Sequence, residues 1–600
     1  MTDYVIVGAG AAGLYTAYRL LQGGTLKAGD TVKVYEWDHR PGGRIYSYTF
    51  PDAVGGKGLY CEFGGMRFAT DPNFPDASKI TEGHVLVQTM IIDLGLQGKV
   101  VPFQASSNRL YYLRGVNIYE DDLTDLARLP YNFSSEFGDF IADNKVPKPY
   151  TADNILSGIA GLFAPKLTAL NADRPNWCDY YATGKVSASN ATPSFPAGTR
   201  VHNMGYWNLL YDQLDDEGFD YSADGTGYTS NVINWNAADA MQANNDYGST
   251  TSYQRLDGGY SLLFEELAAR ITALSAQYPG SGIFYGQQLT GLMESAADDS
   301  TTCKFIDHTK SDRAYEVRAD HLFLAMPRRA LEMISSGCPG SYMLNDAKVK
   351  YYLESSIDQP AIKVVLIFKD AWWTSPDCKY PPQLVPPTGA PPDTPKQQWV
   401  GGATITDLPL RMVYYFANNI PGGPGTNGGP YVMLASYDDM NYSGFWRELE
   451  TSADYQIAPS LIRQPLSGPT SLPVNSPLAG IVLKQLAEAH GISVDRMPAP
   501  MAVYFQDWGQ DPFGGGYHGW AAHYNICRVM DGIRAPYQKI LNSPARKTYI
   551  IGSCYSFDQA WVEGAFCTAE SVLQDFVGLA PVSQYIAGYK LVCTVDGKSQ

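Results

Sequence analysis

Several features are missing from this 600-residue sequence, and each absence removes a class of protein. No run of about 20 apolar residues is present that could cross a bilayer. The chain starts almost directly in an apolar strand-like run, without the charged segment, hydrophobic segment and cleavage site of an export signal. The nine cysteines are scattered and form no C-x-x-C pair, so neither a disulfide framework nor a zinc site is predicted. We therefore expect a soluble protein, cytoplasmic or exported without a classical signal peptide.

Basic residues are in the minority. Lysine and arginine number 44 against 61 acidic residues, which gives a formal net charge of −17. Such a balance disfavours nucleic acid and anionic membranes as partners. A hydrophobic content of 45% with 13% aromatic residues argues against general disorder. The chain is too long to fold around a single hydrophobic core, so we expect two or three domains, some of them discontinuous.

An apolar run followed by three spaced glycines opens the chain. Tyr4–Val7 is short and β-branched, which predicts a buried strand. Gly8, Gly10 and Gly13 follow at G-x-G-x-x-G spacing, and a helix-like stretch comes next. In this motif the first glycine permits a tight turn, the second lets the backbone approach a pyrophosphate, and the third lets helix and strand pack closely. The helix N-terminus then offers free N–H groups to the phosphates.

A second strand and an acidic residue complete the pattern. Thr31–Tyr35 predicts the strand, and Glu36 follows it directly. A carboxylate at this position can accept hydrogen bonds from the two ribose hydroxyls. The glycine motif alone would indicate only a turn. Strand, glycines, helix, strand and acid in this order predict a bound dinucleotide.

Two further glycine pairs lie beside arginines. Gly42-Gly43-Arg44 comes just after the ribose acid, where backbone and a cation can meet the same pyrophosphate, although the segment alone is compatible with a simple turn. Gly64-Gly65-Met66-Arg67 follows further along. Together with the opening motif and the acid, these segments resemble the flavin amine oxidase family, and within it the L-amino acid oxidases.

The resemblance implies an architecture and a cofactor. The cofactor would be FAD, bound non-covalently in a glutathione-reductase-like Rossmann domain built discontinuously from residues 1–70, 255–335 and 500–578. Residues 336–499 would form a substrate-binding domain with a mixed sheet, and we interpret 75–250 as a largely helical insertion that covers the active site. The expected fold class is therefore α/β, or α+β over the whole chain.

Three residues would carry the substrate chemistry. Arg67 matches the arginine that clamps the substrate α-carboxylate, a task suited to a planar guanidinium; a flavin phosphate or a surface ion pair is the alternative. Lys363 heads the apolar run Ala361–Phe368 and by composition alone would extend to solvent. The resemblance implies instead that Lys363 holds a water against flavin N5. Tyr437 resembles the tyrosine that shares the carboxylate, with a tyrosine at the edge of the core as the alternative.

The C-terminal third would supply the rest of the site. The resemblance places Trp508 beside the isoalloxazine, and Tyr517, His518 and Trp520 near the substrate side chain. His518 is the only motif-placed histidine that could assist as a base, although a pocket-lining role fits it better.

The last helix would begin at the flavin pyrimidine, where its dipole stabilises the anion of reduced flavin. Trp561 would wall the substrate, and the Ala560 carbonyl would receive its amino group. Gly552-Ser553 departs from the Gly-Glu of the family, so the ribitol contact would be weaker. The residues expected to contact the cofactor are Gly8, Gly10, Ala12, Gly13, Glu36, Gly43, Arg44, Gly65, Met66, Arg67, Trp508, Gly552, Ser553, Trp561 and Val562.

No alternative catalytic apparatus is visible in the motifs. They bring together no Ser/His/Asp or Cys/His arrangement, no H-E-x-x-H and no paired carboxylates, so a cofactor must carry the chemistry. The resemblance implies oxidative deamination of L-α-amino acids with O₂, giving 2-oxo acid, ammonia and hydrogen peroxide. A monoamine or polyamine oxidase, an amino acid 2-monooxygenase and a flavoprotein scaffold are the alternatives. Neither nucleic acid nor membrane is an expected partner, and a homodimer is left open.

The preferred side chain is less well defined. The aromatic residues of the C-terminal segments favour apolar or aromatic substrates. A cationic substrate would need a carboxylate at the far end of the pocket, which the 75–250 insertion has the acidic residues to supply.

Overall fold

The computed structural model describes residues 2–55, 58–103, 108–168, 174–233, 235–243, 252–295, 297–337, 341–387, 390–421, 429–450, 468–583, 586 and 588–594. Across these ranges, no helix combines the length and apolar character that spanning a bilayer requires.

The strands of the described residues alternate with helices along most of the chain. They are β1 Asp3–Val7, β2 Thr31–Tyr35, β3 Ser47–Thr49, β4 Tyr60–Glu62, β5 Phe68–Thr70, β6 Val100–Pro102, β7 Leu110–Leu113, β8 Val116–Tyr119, β9 Ser252–Leu256, β10 Gly282–Phe284, β11 Gln287–Glu294, β12 Thr301–Asp307, β13 Arg313–Ala319, β14 His321–Leu324, β15 Ser356–Gln359, β16 Ala361–Phe368, β17 Gly401–Thr406, β18 Met412–Ala417, β19 Tyr431–Asp439, β20 Thr470–Leu472, β21 Ala502–Asp507, β22 Tyr517–Trp520 and β23 Lys547–Ile550.

The helices concentrate between β8 and β9 and near the C-terminus. They are α1 Ala11–Gln22, α2 Asp52–Gly55, α3 Val85–Asp93, α4 Ser135–Asp143, α5 Ala152–Phe163, α6 Pro165–Thr168, α7 Arg174–Thr183, α8 Tyr206–Gly225, α9 Ala237–Ala243, α10 Ser261–Ser275, α11 Arg328–Gly337, α12 Tyr342–Asn345, α13 Ala347–Leu353, α14 Ser443–Glu450, α15 Pro477–His490, α16 Ile526–Ile533, α17 Pro536–Lys539 and α18 Val562–Val572.

A five-stranded parallel sheet forms around the opening segment. Its order is β10-β2-β1-β14-β23, with every pairing parallel. The apolar residues of β1 are buried because helices cover the sheet, as is usual for parallel strands. Helix α1 packs against both α10 and α18. The predicted α/β class, with a Rossmann-type sheet assembled from distant segments, is confirmed.

An eight-stranded mixed sheet lies in the other part of the molecule, in the order β20-β21-β16-β19-β18-β17-β7-β8. Its pairings are antiparallel except for β17 with β7. All eight residues of β16 are buried, because strands flank it on both sides and packed layers cover its faces. Strands β7 and β8 come from the 75–250 segment, which is therefore helical only in part. The exact domain limits stay a prediction.

One disulfide corrects the expectation drawn from the cysteines. Cys178 of α7 is bonded to Cys593, 415 residues later in the sequence. No local spacing marks such a pair, because only the folded chain brings α7 and the C-terminal segment together. The other cysteines of the described residues are free and buried.

A buried ion pair ties the first helix to the last. The Arg19 side chain donates to the Glu570 carboxylate at 3.0 and 3.1 Å, and the Tyr15 hydroxyl donates to the same group at 2.9 Å. All three side chains are almost fully shielded from solvent. Because leaving a buried charge unpaired is costly, this contact holds helices α1 and α18 together.

Candidate active site

A cavity of about 980 Å³ lies between the two large sheets. It runs from the end of β1 past the first residues of β16 to the start of α18. In open α/β sheets, ligands bind at the carboxyl ends of the parallel strands, and this cavity occupies that position. Every residue predicted to contact cofactor or substrate lines it except Gly13, His518 and Trp520.

The glycine motif forms one end of the cavity. Gly8 and Gly10 face the cavity, and Gly8 has a φ of +105°, a conformation that favours glycine. Gly13 lies behind them: a Cβ there would stand only 1.9 Å from the Gly8 carbonyl oxygen. Ala12 and the first turn of α1 also face the cavity, and Gly10 has no side chain to cap that turn. Free N–H groups at a helix N-terminus suit a phosphate.

Glu36 stands beside the glycine motif. Its carboxylate accepts hydrogen bonds from the Ala9 N–H at 2.6 Å and the Asp38 N–H at 2.7 Å. Burial raises the pKa of Glu36, and the two backbone donors oppose that effect. A carboxylate fixed in this way at the end of the second strand fits the predicted ribose contact, because its remaining lone pairs can still accept hydroxyl protons.

Arg44 brings a half-buried cation to the same end. Its Nη1 donates to the carbonyls of Gly515 and Gly516, each at 3.2 Å, and lies 3.3 Å from His518 Nδ1. Burial lowers the pKa of Arg44. Across the described ranges no carboxylate forms an ion pair with it. A cavity-lining guanidinium without an anionic partner fits a pyrophosphate, and with Gly43 and the glycine motif it makes a cradle for a dinucleotide.

The remaining predicted cofactor contacts line the middle of the cavity: Gly65, Met66, Trp508, Gly552, Ser553 and Val562. The Trp508 Nε1 donates to the Phe63 carbonyl at 2.7 Å, which fixes the indole. Gly552 has a φ of +140°, and its N–H donates to the Thr568 hydroxyl at 2.9 Å. The individual contacts to a cofactor stay predictions.

Arg67 lies in an aromatic cage. Its guanidinium carbon is 4.7 Å from the ring centroid of Tyr253 and 5.2 Å from that of Phe103. Burial by itself lowers the pKa of Arg67, but the hydroxyls of Tyr414 and Tyr228 outweigh it, so the net shift is upward. No described carboxylate pairs with this arginine. Arg67 therefore does not form the surface ion pair that was the alternative. The cage is suited to an anionic group of a ligand.

Lys363 is buried rather than extended to solvent, with 2% of its surface exposed. Its Nζ donates to the carbonyls of Glu62 at 3.0 Å and Gly64 at 2.7 Å, and lies 4.6 Å from the ring centroid of Tyr437. Burial lowers its pKa to about 8. Composition alone misjudges this lysine, because β16 is an interior strand of the large sheet and its Lys363 side chain faces the cavity instead of the outer surface.

The neighbourhood of Arg67 contains tyrosines that the sequence did not single out. Tyr437 lines the cavity as predicted and meets Tyr228 edge-on at 5.1 Å. The Tyr228 and Tyr414 hydroxyls are 3.4 Å apart, and both rings line the cavity. Tyr414 lies on β18, and Tyr228 carries no motif and comes from the 75–250 segment. A carboxylate held by Arg67 would therefore have several hydroxyl donors within the same cage.

Strand β22 divides its residues between two faces. Tyr517 lines the cavity, and its hydroxyl donates to the buried carboxylate of Asp439. His518 and Trp520 point away from the cavity, because successive side chains of a strand alternate in direction. His518 Nε2 lies 3.2 Å from Asp358 Oδ1 on the paired strand β15. The expectation that His518 and Trp520 approach the substrate is therefore corrected.

The start of α18 forms a further wall. The Trp561 ring stacks on Tyr253 with 5.9 Å between centroids and lies 4.8 Å from the ring of His84. Ala560 lines the cavity with a φ of +71°. A left-handed alanine costs about 1–2 kcal/mol, so the local fold must hold it in place. Backbone strain of this kind concentrates at ligand sites.

Comparisons with known proteins identify relatives among the flavin-containing amine oxidoreductases. A family model described as flavin containing amine oxidoreductase matches residues 11–443. Aplysianin-A of Aplysia kurodai is 24% identical over 96% of this chain and 90% of its own length. L-amino-acid oxidase 4 of Hebeloma cylindrosporum is 25% identical over 95% of this chain and 81% of its own. The structure of a putrescine oxidase bound to putrescine aligns over 96% of this chain and 99% of its own, with a TM-score of 0.56 and 15% identity, a likeness of fold alone.

Proposed function

Because the chain belongs to the family of flavin-containing amine oxidoreductases, we propose that it binds FAD non-covalently and oxidises L-α-amino acids. The products are the 2-oxo acid, ammonia and hydrogen peroxide. The observation that carries the proposal is Arg67, a half-buried guanidinium that lines the cavity in a tyrosine-rich cage without a described carboxylate partner. An oxidase of simple amines has no use for such a group.

The residues of the chain orient the substrate. Arg67 holds the α-carboxylate bidentately, with hydroxyls from Tyr414 and Tyr437 beside it. The backbone of Ala560 receives the α-amino group, and Trp561 closes that side of the cavity. With the α-carboxylate and the α-amino group both fixed, the orientation of the Cα–H bond is also fixed. Holding the reacting bond in one orientation is the main contribution of these residues to the rate.

FAD, when bound, would supply the two-electron redox chemistry that links oxidation of the substrate Cα–H to reduction of O₂. Lys363 stands at the cavity wall with two backbone carbonyls as acceptors, and its third N–H is available to hold a water there. No strong general base is needed if the substrate amine is neutral when it reacts. Water then hydrolyses the released imino acid to 2-oxo acid and ammonia.

Two relatives support the proposal in different degrees. L-amino-acid oxidase 4 carries the proposed activity in its name and aligns over most of both chains. The putrescine oxidase likeness supports only the fold, so a monoamine or polyamine oxidase is the rival. An amino acid 2-monooxygenase is a second rival, because the same clamp would serve it.

A peroxide assay across the L-amino acids, several D-amino acids and simple amines tests the proposal. We expect turnover with L-amino acids, none with D-amino acids and at most weak turnover with simple amines, and anaerobic mixing with a good substrate should bleach the yellow flavin. Turnover restricted to amines would favour the amine oxidase, and release of CO₂ with an amide would favour the monooxygenase. A flavin that stays yellow with every compound would leave a scaffold role. Acid precipitation should release FAD into the supernatant.

A further inference from the structure

One wall of the cavity is polar and comes from helix α9. Asp239 and Gln242 both line the cavity, one helical turn apart. The Tyr181 hydroxyl lies 3.2 Å from the Asp239 carboxylate and 3.4 Å from the Gln242 side-chain oxygen. Asp239 is 95% buried, being 5% exposed. The cavity wall also contains the carboxylates of Asp558 and Asp153, but each of these is paired with an arginine.

The Asp239 carboxylate has no cationic partner among the described side chains. Arg174 is already engaged, because it pairs with Asp558 and also lies over the rings of Phe557 and Tyr589 at 4.8 and 4.6 Å. Burial raises the pKa of Asp239 to about 7, the Tyr181 hydroxyl opposes the shift, and the charge of Asp558 adds to it. Ionising a buried carboxylate in this environment costs free energy unless a cation pairs with it.

Arg67 and Asp239 therefore present opposite charges within one cavity. Arg67 attracts a carboxylate, and Asp239 attracts a cation. The wall of the same cavity contains the apolar surfaces of Trp235 and Trp561, which suit a methylene chain. A basic amino acid has this sequence of groups: carboxylate, methylenes and a terminal ammonium or guanidinium.

We propose, resting on the proposed function, that Asp239 selects L-amino acids whose side chain ends in a cation. The aromatic residues of the cavity then pack against the aliphatic stem rather than against an aromatic substrate. Gln242 supplies a second polar contact to the same terminal group. This assigns substrate preference to α9, an element of the 75–250 segment, and not to the strands that carry the flavin and the clamp.

The test compares L-lysine with L-norleucine, which has the same carbon chain without the ammonium. The wild-type kcat/KM should favour lysine about 30-fold or more, since losing one partner of a desolvated charge pair costs about 2 kcal/mol or more. In Asp239→Asn the lysine-to-norleucine ratio should fall by about 30-fold or more. Asp153→Asn is the matched control, because Asp153 lines the same cavity but is paired with Arg109 at 3.3 Å. Its ratio should equal that of the wild type.

A binding experiment removes the dependence on turnover and on a variant that folds. Wild-type holoenzyme is titrated with 6-aminohexanoate and with hexanoate, and the perturbation of the flavin absorption spectrum gives each affinity. The ammonium should tighten binding at least about tenfold. Equal affinities, or a wild-type preference for norleucine, would overturn the inference while leaving amino acid oxidation intact. Loss of all amino acid turnover together with tighter 6-aminohexanoate binding would instead count against the proposed function alone.

Discussion

The clamp at Arg67 allows a sharp test by substitution. The half-buried guanidinium lies between Phe103 and Tyr253 and can form an ion pair with a substrate carboxylate, which would then be shielded from water. Removing one partner of a buried ion pair costs about 3–5 kcal/mol. At 1.36 kcal/mol per factor of ten, Arg67→Ala should lower kcat/KM for an L-amino acid by about 10²–10⁴-fold. Arg67→Lys keeps the charge and the cage but loses the bidentate fork, so we expect a loss of about 10–100-fold.

The loss should fall mainly on KM, because the carboxylate contact is present in the bound substrate as well as in the transition state. Steady-state peroxide kinetics should be measured with L-leucine and with 3-methylbutylamine, which is leucine without its carboxylate. The comparison isolates the contribution of the carboxylate to kcat/KM. The amine lacks the carboxylate, so its weak turnover should not fall in the variants. Arg109→Lys is the matched control, since Arg109 lines the same cavity but is held by Glu120 at 2.7 Å. Unchanged leucine kinetics in Arg67→Ala would refute the clamp.

Three further results are expected. Gly13→Ala should abolish flavin binding, seen as loss of visible absorbance in folded protein, because the Cβ would meet the Gly8 oxygen at 1.9 Å; Gly161→Ala, whose Cβ meets open space, should keep its flavin. The Asp239 carboxyl binds its proton more tightly in the folded than in the unfolded chain. The free energy of unfolding therefore decreases as the pH rises from about 4 to about 7. Asp239→Asn should therefore raise the free energy of unfolding in urea at pH 8 by on the order of 2–4 kcal/mol, and a gain that persists at pH 4 would contradict this. Cys593→Ser should cost about 2–5 kcal/mol, and reductant should lower the Tm of the wild type but not of the variant.

Local patterns predicted much of the fold and of the cofactor end of the site. Strand, glycines, helix and acid occur within 36 residues, so their geometry follows from local chemistry and the structure reproduces it. The burial of Lys363 and the position of Arg67 followed from the family resemblance and not from composition. Composition alone gave the wrong environment for Lys363, since it contains no information on how many strands flank β16.

Long-range contacts explain what was missed. Tyr228 and Asp239 belong to the insertion, where no motif marks the face that meets the cavity. His518 and Trp520 were assigned to the substrate because their segment approaches it, but the direction of each side chain depends on the register of β22. The bond between Cys178 and Cys593 joins segments that only tertiary folding brings together.

The position of β1 in its sheet has a consequence for how the protein is made. Its neighbour β14 begins at His321, and the sheet is complete only when Lys547–Ile550 has paired. The partner of Arg19 is Glu570, which emerges later still. At roughly 5–20 residues per second, the first strand waits on the order of half a minute to two minutes on the ribosome for the segments that bury it. During that interval its apolar face needs protection from aggregation, and a nascent chain acquires a complete flavin cradle only after β23 and α18 have been synthesised.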